Sequence, residues 1–133
     1  MVIGKNFQIR FRYLIQIEEN MQQGYRIVEI KNGKVMSLFH GTNGSREIPL
    51  NTWVKADLKE VKDGRGSFTY ESGFHFLPTR EEAENFFNSK FRIKDNRRIV
   101  PCLVRGRIRI KHNNKNGRNS WLADEIYIDS SLL

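Results

Sequence analysis

The stretch Tyr25–His40, YRIVEIKNGKVMSLFH, decides the fold class. Two apolar-rich runs, Tyr25–Lys31 and Lys34–His40, flank the pair Asn32-Gly33. Asparagine and glycine tolerate positive φ, which a two-residue type I′ turn needs at both central positions, so the spacing predicts a tight antiparallel hairpin. Pairing across that turn sets Tyr25 opposite His40. Upstream, Phe7, Ile9, Phe11, Tyr13, Ile15 and Ile17 recur at every second position, with Leu14 as the one break. That period of two predicts a long half-buried strand.

Downstream of the hairpin the signals alternate between turn and strand. Gly41–Gly73 is irregular, with Gly44, Pro49, Gly64 and Gly66 as turn formers and Trp53 as the expected apolar anchor. Thr79 followed by Glu82 forms a capping box, so a helix is expected from there to about Phe91. Ala83, Phe86, Phe87 and Phe91 give it one apolar stripe, which reads as core packing. Val100–Lys111 alternates again, with Val104, Ile108 and Ile110 facing one way and Arg105, Arg107, Arg109 and Lys111 the other. In the last strand Leu122, Ile126 and Ile128 share a face, and Glu125 lies on the other beside Ala123 and Tyr127. One helix among antiparallel strands, with no repeat or Pro/Gly linker to divide 133 residues, predicts a single α+β domain.

Composition narrows the function classes. Apolar residues make up 38% and charged residues 29%, which suits a packed globule and excludes a disordered chain. Cys102 is the only cysteine, so no intramolecular disulfide can form, and no Cys/His spacing matches a metal site. A reducing, cytoplasmic setting is the expectation. Met1–Lys5 has no apolar core and no run of about 18 apolar residues exists, so neither a signal peptide nor a membrane span is read. The beginning of a phosphate-binding loop at Asn32-Gly33-Lys34 lacks the upstream glycine, Gly64-Arg65-Gly66 opens no helix, and no nucleophile elbow is present. Cys102, beside Pro101 in an apolar strand, reads as a buried structural thiol.

The formal net charge is +8, and it is concentrated. Across residues 90–118 eleven Lys or Arg stand against the single acid Asp95. Residues on one strand face recur at roughly 6–7 Å, close to the phosphate spacing of a nucleic acid strand. Arg92, Arg97, Arg98, Arg105, Arg107, Arg109 and Lys111 are therefore candidates for binding RNA, DNA or an acidic host protein, as a non-enzymatic phage-type module that blocks a host factor would. The alternative is a solvated surface.

Three short stretches carry polar chemistry on strands: Leu38-Phe39-His40-Gly41-Thr42, Gly73-Phe74-His75-Phe76-Leu77 and Leu122-Ala123-Asp124-Glu125-Ile126-Tyr127. Their order resembles the ADP-ribosyltransferase superfamily, in the branch of poly(ADP-ribose) polymerase and diphtheria toxin. The resemblance covers roughly Val35–Asp129. It implies an ADP-ribosyltransferase-like fold and NAD as cofactor, with His40 binding the nicotinamide ribose, His75 standing where an aromatic stacks on nicotinamide, and Glu125 polarising the ribose. Gly41, Thr42 and Tyr70 would line the same cofactor site. Histidine in place of the usual tyrosine is similar to what tRNA 2′-phosphotransferases carry, so transfer of ADP-ribose or of a phosphate is the activity implied. A carboxylate at Glu125 would stabilise an oxocarbenium-like ribose. Read without the resemblance, Glu125 is a solvent-facing acid on a wet strand face. Gly41–Gly73 also resembles the middle of small uncharacterised phage and bacterial proteins with His-Gly-x-Asn-Gly-Ser-Arg and Ser-Gly-Phe-His signatures, which implies no activity.

Overall fold

A computed structural model describes residues 21–37, 46–62, 69–90, 96–112 and 120–133. The strand expected over Phe7–Ile17, the tripeptide His40-Gly41-Thr42, the turn formers Gly44, Gly64 and Gly66, and Phe91 and Arg92 lie outside the described residues.

The predicted hairpin forms with the predicted turn. Strand β1 (Met21–Lys31) meets β2 (Lys34–Met36) with Lys31 opposite Lys34, and Asn32 and Gly33 both have positive φ, 53° and 75°. His40, the expected partner of Tyr25 across the turn, lies outside the described residues. Tyr25 exchanges both backbone hydrogen bonds with Leu77, each at 2.8 Å, so that edge of β1 is already taken. Strand β2 turns its other edge to residues 46–48, where Ser37 N–H donates to the Arg46 carbonyl and Ile48 N–H to that of Val35.

Strands β3 (Trp53–Lys55), β4 (Glu60–Lys62), β5 (Thr69–Glu71) and β6 (Phe74–Phe76) follow, then helix α1 (Arg80–Lys90), β7 (Arg97–Arg105), β8 (Arg109–His112), β9 (Ser120–Ala123), β10 (Glu125–Tyr127) and a closing 3-10 turn (Ser130–Leu132). They build a five-stranded sheet in the order β2-β1-β7-β10-β3, a three-stranded sheet β6-β9-β8, and the hairpin β4-β5, all antiparallel. The expected α+β class is the one observed, mostly antiparallel strands with one α-helix among the described residues.

One strand expected over Val100–Lys111 is in fact two. Gly106, at φ 87°, turns the chain out of the first sheet, and β8 resumes in the second. A Cβ at Gly106 would sit 2.7 Å from that of Asp124, the residue that separates β9 from β10. The two corners lie against each other, so both strands leave the five-stranded sheet at one place. With the Tyr25–Leu77 bridge this curls the sheets into a half-barrel. Pro101 sits in β7 opposite Tyr25, beyond the end of the β10 pairing at Tyr127–Leu103, where its missing N–H breaks no ladder bond.

The inside of the curl is the core. Alternation puts Val28, Val100, Cys102, Val104 and Ile126 on the inner face, and Phe76 and Ala123 meet them from the second sheet, all buried. Each such aliphatic or aromatic side chain contributes about 1.5–3 kcal/mol of burial. The outer face is covered at its two ends. Helix α1 lays Phe86 and Phe87 on Ile27 and Ile99, as the predicted stripe requires. At the other end Trp53, Tyr127 and Leu132 pack on Met21 and Leu103. The Thr79 cap is in place, its Oγ1 accepting from Glu82 N–H at 3.1 Å and donating to the Glu82 carboxylate at 3.0 Å.

Candidate functional site

His75 lies mid-strand in β6 opposite Leu122, and Leu122 in turn lies opposite Arg109 of β8. Cross-strand partners share a face, so these three form one row across the second sheet. Phe76 and Trp121 occupy the other face, their ring centroids 6.4 Å apart. The His75 row therefore looks away from the core. Over it stands the hairpin β4-β5, whose Tyr70 ring meets the His75 ring edge-on at 6.2 Å. A shallow pocket of about 350 Å³ opens there, lined by Tyr70, Glu71, Arg107, Arg109, Ile110 and Leu122.

Two arginines and one acid, Glu71, line that pocket, and a second acid, Asp124, holds both arginines. Asp124 at the strand corner accepts from Arg107 N–H at 2.9 Å, from Arg107 Nε at 3.1 Å and from Arg109 Nη1 at 3.0 Å. Arg107 also pairs with Glu71 of the hairpin, and Arg109 Nη2 donates to the Ser72 carbonyl at 2.7 Å. Burial works to raise the Asp124 pKa, but the Arg107 N–H and the Arg107 and Arg109 guanidiniums outweigh it and hold the carboxyl below its usual range. The hydrogen bonds that Arg107 donates to Asp124 and Glu71 push its own pKa the other way, upward.

Glu125 is placed elsewhere. Its carboxylate takes a bidentate pair from Arg105, Nε to Oε2 at 3.2 Å and Nη2 to Oε1 at 3.1 Å, on the outer face of the five-stranded sheet. The Arg105 guanidinium lies 3.9 Å over the Trp53 ring, which itself tilts against Tyr127 at 5.7 Å. Both members of the pair are about three-quarters or more buried. The solvent-facing acid expected of Glu125 is thus corrected: the arginine opposite it, brought there by the β7–β10 register, closes over it.

The expected stripe of cations on one face is corrected as well. Arg105 faces out from the first sheet, whereas Arg107 and Arg109 follow the Gly106 corner onto the second, and all three hold carboxylates. Lys111 lies in β8, its side chain outside the description. Arg97 and Arg98 begin β7 at its far end, opposite Glu29 and Val28, and Arg98 is exposed.

Of the three residues tied together by the resemblance, His75 stands on β6 beside Tyr70 and Glu125 on β10 against Arg105, while His40 lies outside the described residues with Gly41 and Thr42. Sequence reasoning missed Asp124, Glu71 and Arg26. The signal for the first was Gly106, a helix- and strand-breaking residue between two arginines. Cys102 is fully buried as expected, and burial pushes its thiol up to about 12. Among the described residues no group of three His, Cys, Asp or Glu could hold a metal ion, and no helix is long and apolar enough to cross a membrane. No family model, no curated protein and no solved structure matches the chain.

Proposed function

We propose that this domain binds a ligand of the NAD or ADP-ribose class in the pocket beside His75, and that it acts by binding and not by ribosyl transfer. The observation that carries the reading is the pocket itself: the Tyr70 ring at one side and two guanidiniums at the other, around a shallow volume of about 350 Å³. The aromatic ring accepts a flat base, and a phosphate group would take the Arg107 and Arg109 guanidiniums in competition with Asp124 and Glu71, which hold them in the free protein. The pocket adjoins the Gly-Phe-His-Phe strand, on which the resemblance to ADP-ribosyltransferases rests. Against turnover stands the Arg105–Glu125 pair. A carboxylate committed to a bidentate guanidinium has its charge neutralised and cannot approach a ribose without breaking that pair.

Isothermal titration of NAD and ADP-ribose into the wild type and into Tyr70→Ala and Arg107→Gln tests this. Saturable binding weakened about tenfold by each change is expected, since each removes a contact worth about 1.4 kcal/mol. Binding unaltered by both substitutions would remove the pocket from the reading. NAD cleavage by the wild type that Glu125→Gln abolishes would restore the catalytic alternative.

A further inference from the structure

Arg26 is the one buried cation of the described core. Its residue is 8% exposed, and alternation sets it on the inner face of β1 with Gly24 and Val28. Its Nη1 donates to the His75 carbonyl at 2.8 Å and its guanidinium carbon lies 5.7 Å from the Phe74 ring centroid. Its Nε–H, fully enclosed, has no acceptor among the described residues.

The position follows from how β1 shares its edge. Glu29–Lys31 pair with β2, and Tyr25 pairs with Leu77, which leaves Ile27 between the two. His75, two residues before Leu77, would fall opposite Ile27 if the ladder ran on. Instead β6 diverges from β1 there, and the Arg26 side chain bridges the seam to the carbonyl that the ladder would have used. One guanidinium nitrogen is thereby committed, and the edge carrying Nε–H is left over.

The charge has no counter-ion among the described carboxylates. Glu125, Asp124 and Glu71 serve Arg105, Arg107 and Arg109, and Asp129 caps the last turn through Ser131. Glu29, the nearest acid along β1, alternates to the outer face. Burial lowers the Arg26 pKa only to about 10, so the group is a cation at neutral pH. An enclosed cation without an anion is strongly unfavourable, and an enclosed N–H without an acceptor adds to that.

We propose that the inner side of the β1–β6 seam binds one small oxyanion, a carboxylate or a phosphate oxygen group, on the Nε edge of Arg26. The guanidinium presents parallel N–H donors on that edge, the geometry that accepts two oxygens at once. Exposed Arg98 lies on the same face of β7, two residues from Val100, the cross-strand partner of Arg26, and raises the positive potential on the anion's approach. This site is on the face of β6 opposite the His75 side chain and the Tyr70 pocket, and stands or falls separately from that pocket.

The test is a titration of the wild-type protein with sodium acetate and with sodium phosphate, against sodium chloride at matched ionic strength, following the Arg26 Nε–H resonance by heteronuclear NMR. A saturable shift with acetate alone makes the site a carboxylate site and a shift with phosphate alone a phosphate site, and either supports the proposal. The thermal midpoint should rise along the same curve. Arg26→Met, which removes the charge and fills the space, should lose the anion-dependent rise, and Tyr70→Ala should keep it. A resonance that neither anion moves overturns the proposal, and so does an equal thermal response in wild type and Arg26→Met. Should Arg26→Met fail to fold, the wild-type resonance decides alone.

Discussion

Single residues in this chain do their work by where they let the backbone turn and by what they neutralise. Gly106 is the clearest case, because its φ of 87° and the 2.7 Å that separates a would-be Cβ from Asp124 both exclude a side chain. Gly106→Ala should cost about 1–3 kcal/mol, read as a lower denaturant midpoint at unchanged slope. Glu125 is the second case. A solvent-facing acid would tolerate Glu125→Gln within about 0.5 kcal/mol. The largely buried bidentate pair predicts a loss of about 1–3 kcal/mol, since Arg105 would keep its charge over Trp53 with a weaker acceptor. A double-mutant cycle with Arg105→Met separates the pair from the packing, and a coupling near zero would return Glu125 to the status of a surface acid.

At the scale of elements, what could be read from the chain was what is local in it. The hairpin was legible because Asn32-Gly33 specifies its own turn, and the helix because Thr79 and the Ala83/Phe86/Phe87 spacing specify cap and face. What could not be read is the corner where β7 passes into β8 and β9 into β10. An alternating pattern continues through Gly106 as if the strand were whole, and only the tertiary approach of Asp124 shows that it is not. The arginine stripe was misread for the same reason: period two predicts a face, but the face is cut in two. That corner should also be acid-sensitive. Asp124 has a folded-state pKa below its ordinary 3.8, so its contribution is fully present above that value and is lost as pH falls through the lowered one. Unfolding free energy should therefore fall on acidification below about pH 4, and Asp124→Asn should flatten that limb. An identical acid limb in wild type and variant would mean that the corner does not depend on the charge.

For the whole molecule the question is where an excess of positive charge, +8 in all, is available to a partner. Arg105, Arg107 and Arg109 are spoken for, each by a carboxylate that the fold brings to it across a sheet or a corner. Exposed Arg98, at the other end of β7, is not bound in that way. Among the described arginines of β7 and the Gly106 corner, Arg98 is thus the one open to a polyanion, and the two groups of arginines should answer substitution differently. Arg98→Gln should leave the thermal midpoint within the range of ordinary surface changes and reduce the log–log salt slope for single-stranded RNA by roughly 0.7, one phosphate contact. Arg107→Gln should do the reverse, lowering the midpoint because Asp124 and Glu71 lose their shared cation, and leaving the slope unchanged. Slopes measured for both variants beside the wild type distinguish the cases. A flattened slope with Arg107→Gln at unchanged stability would mean that the corner arginines release their carboxylates to a partner, and the absence of any RNA or heparin binding at low salt would mean that the basic surface serves solvation or an acidic protein.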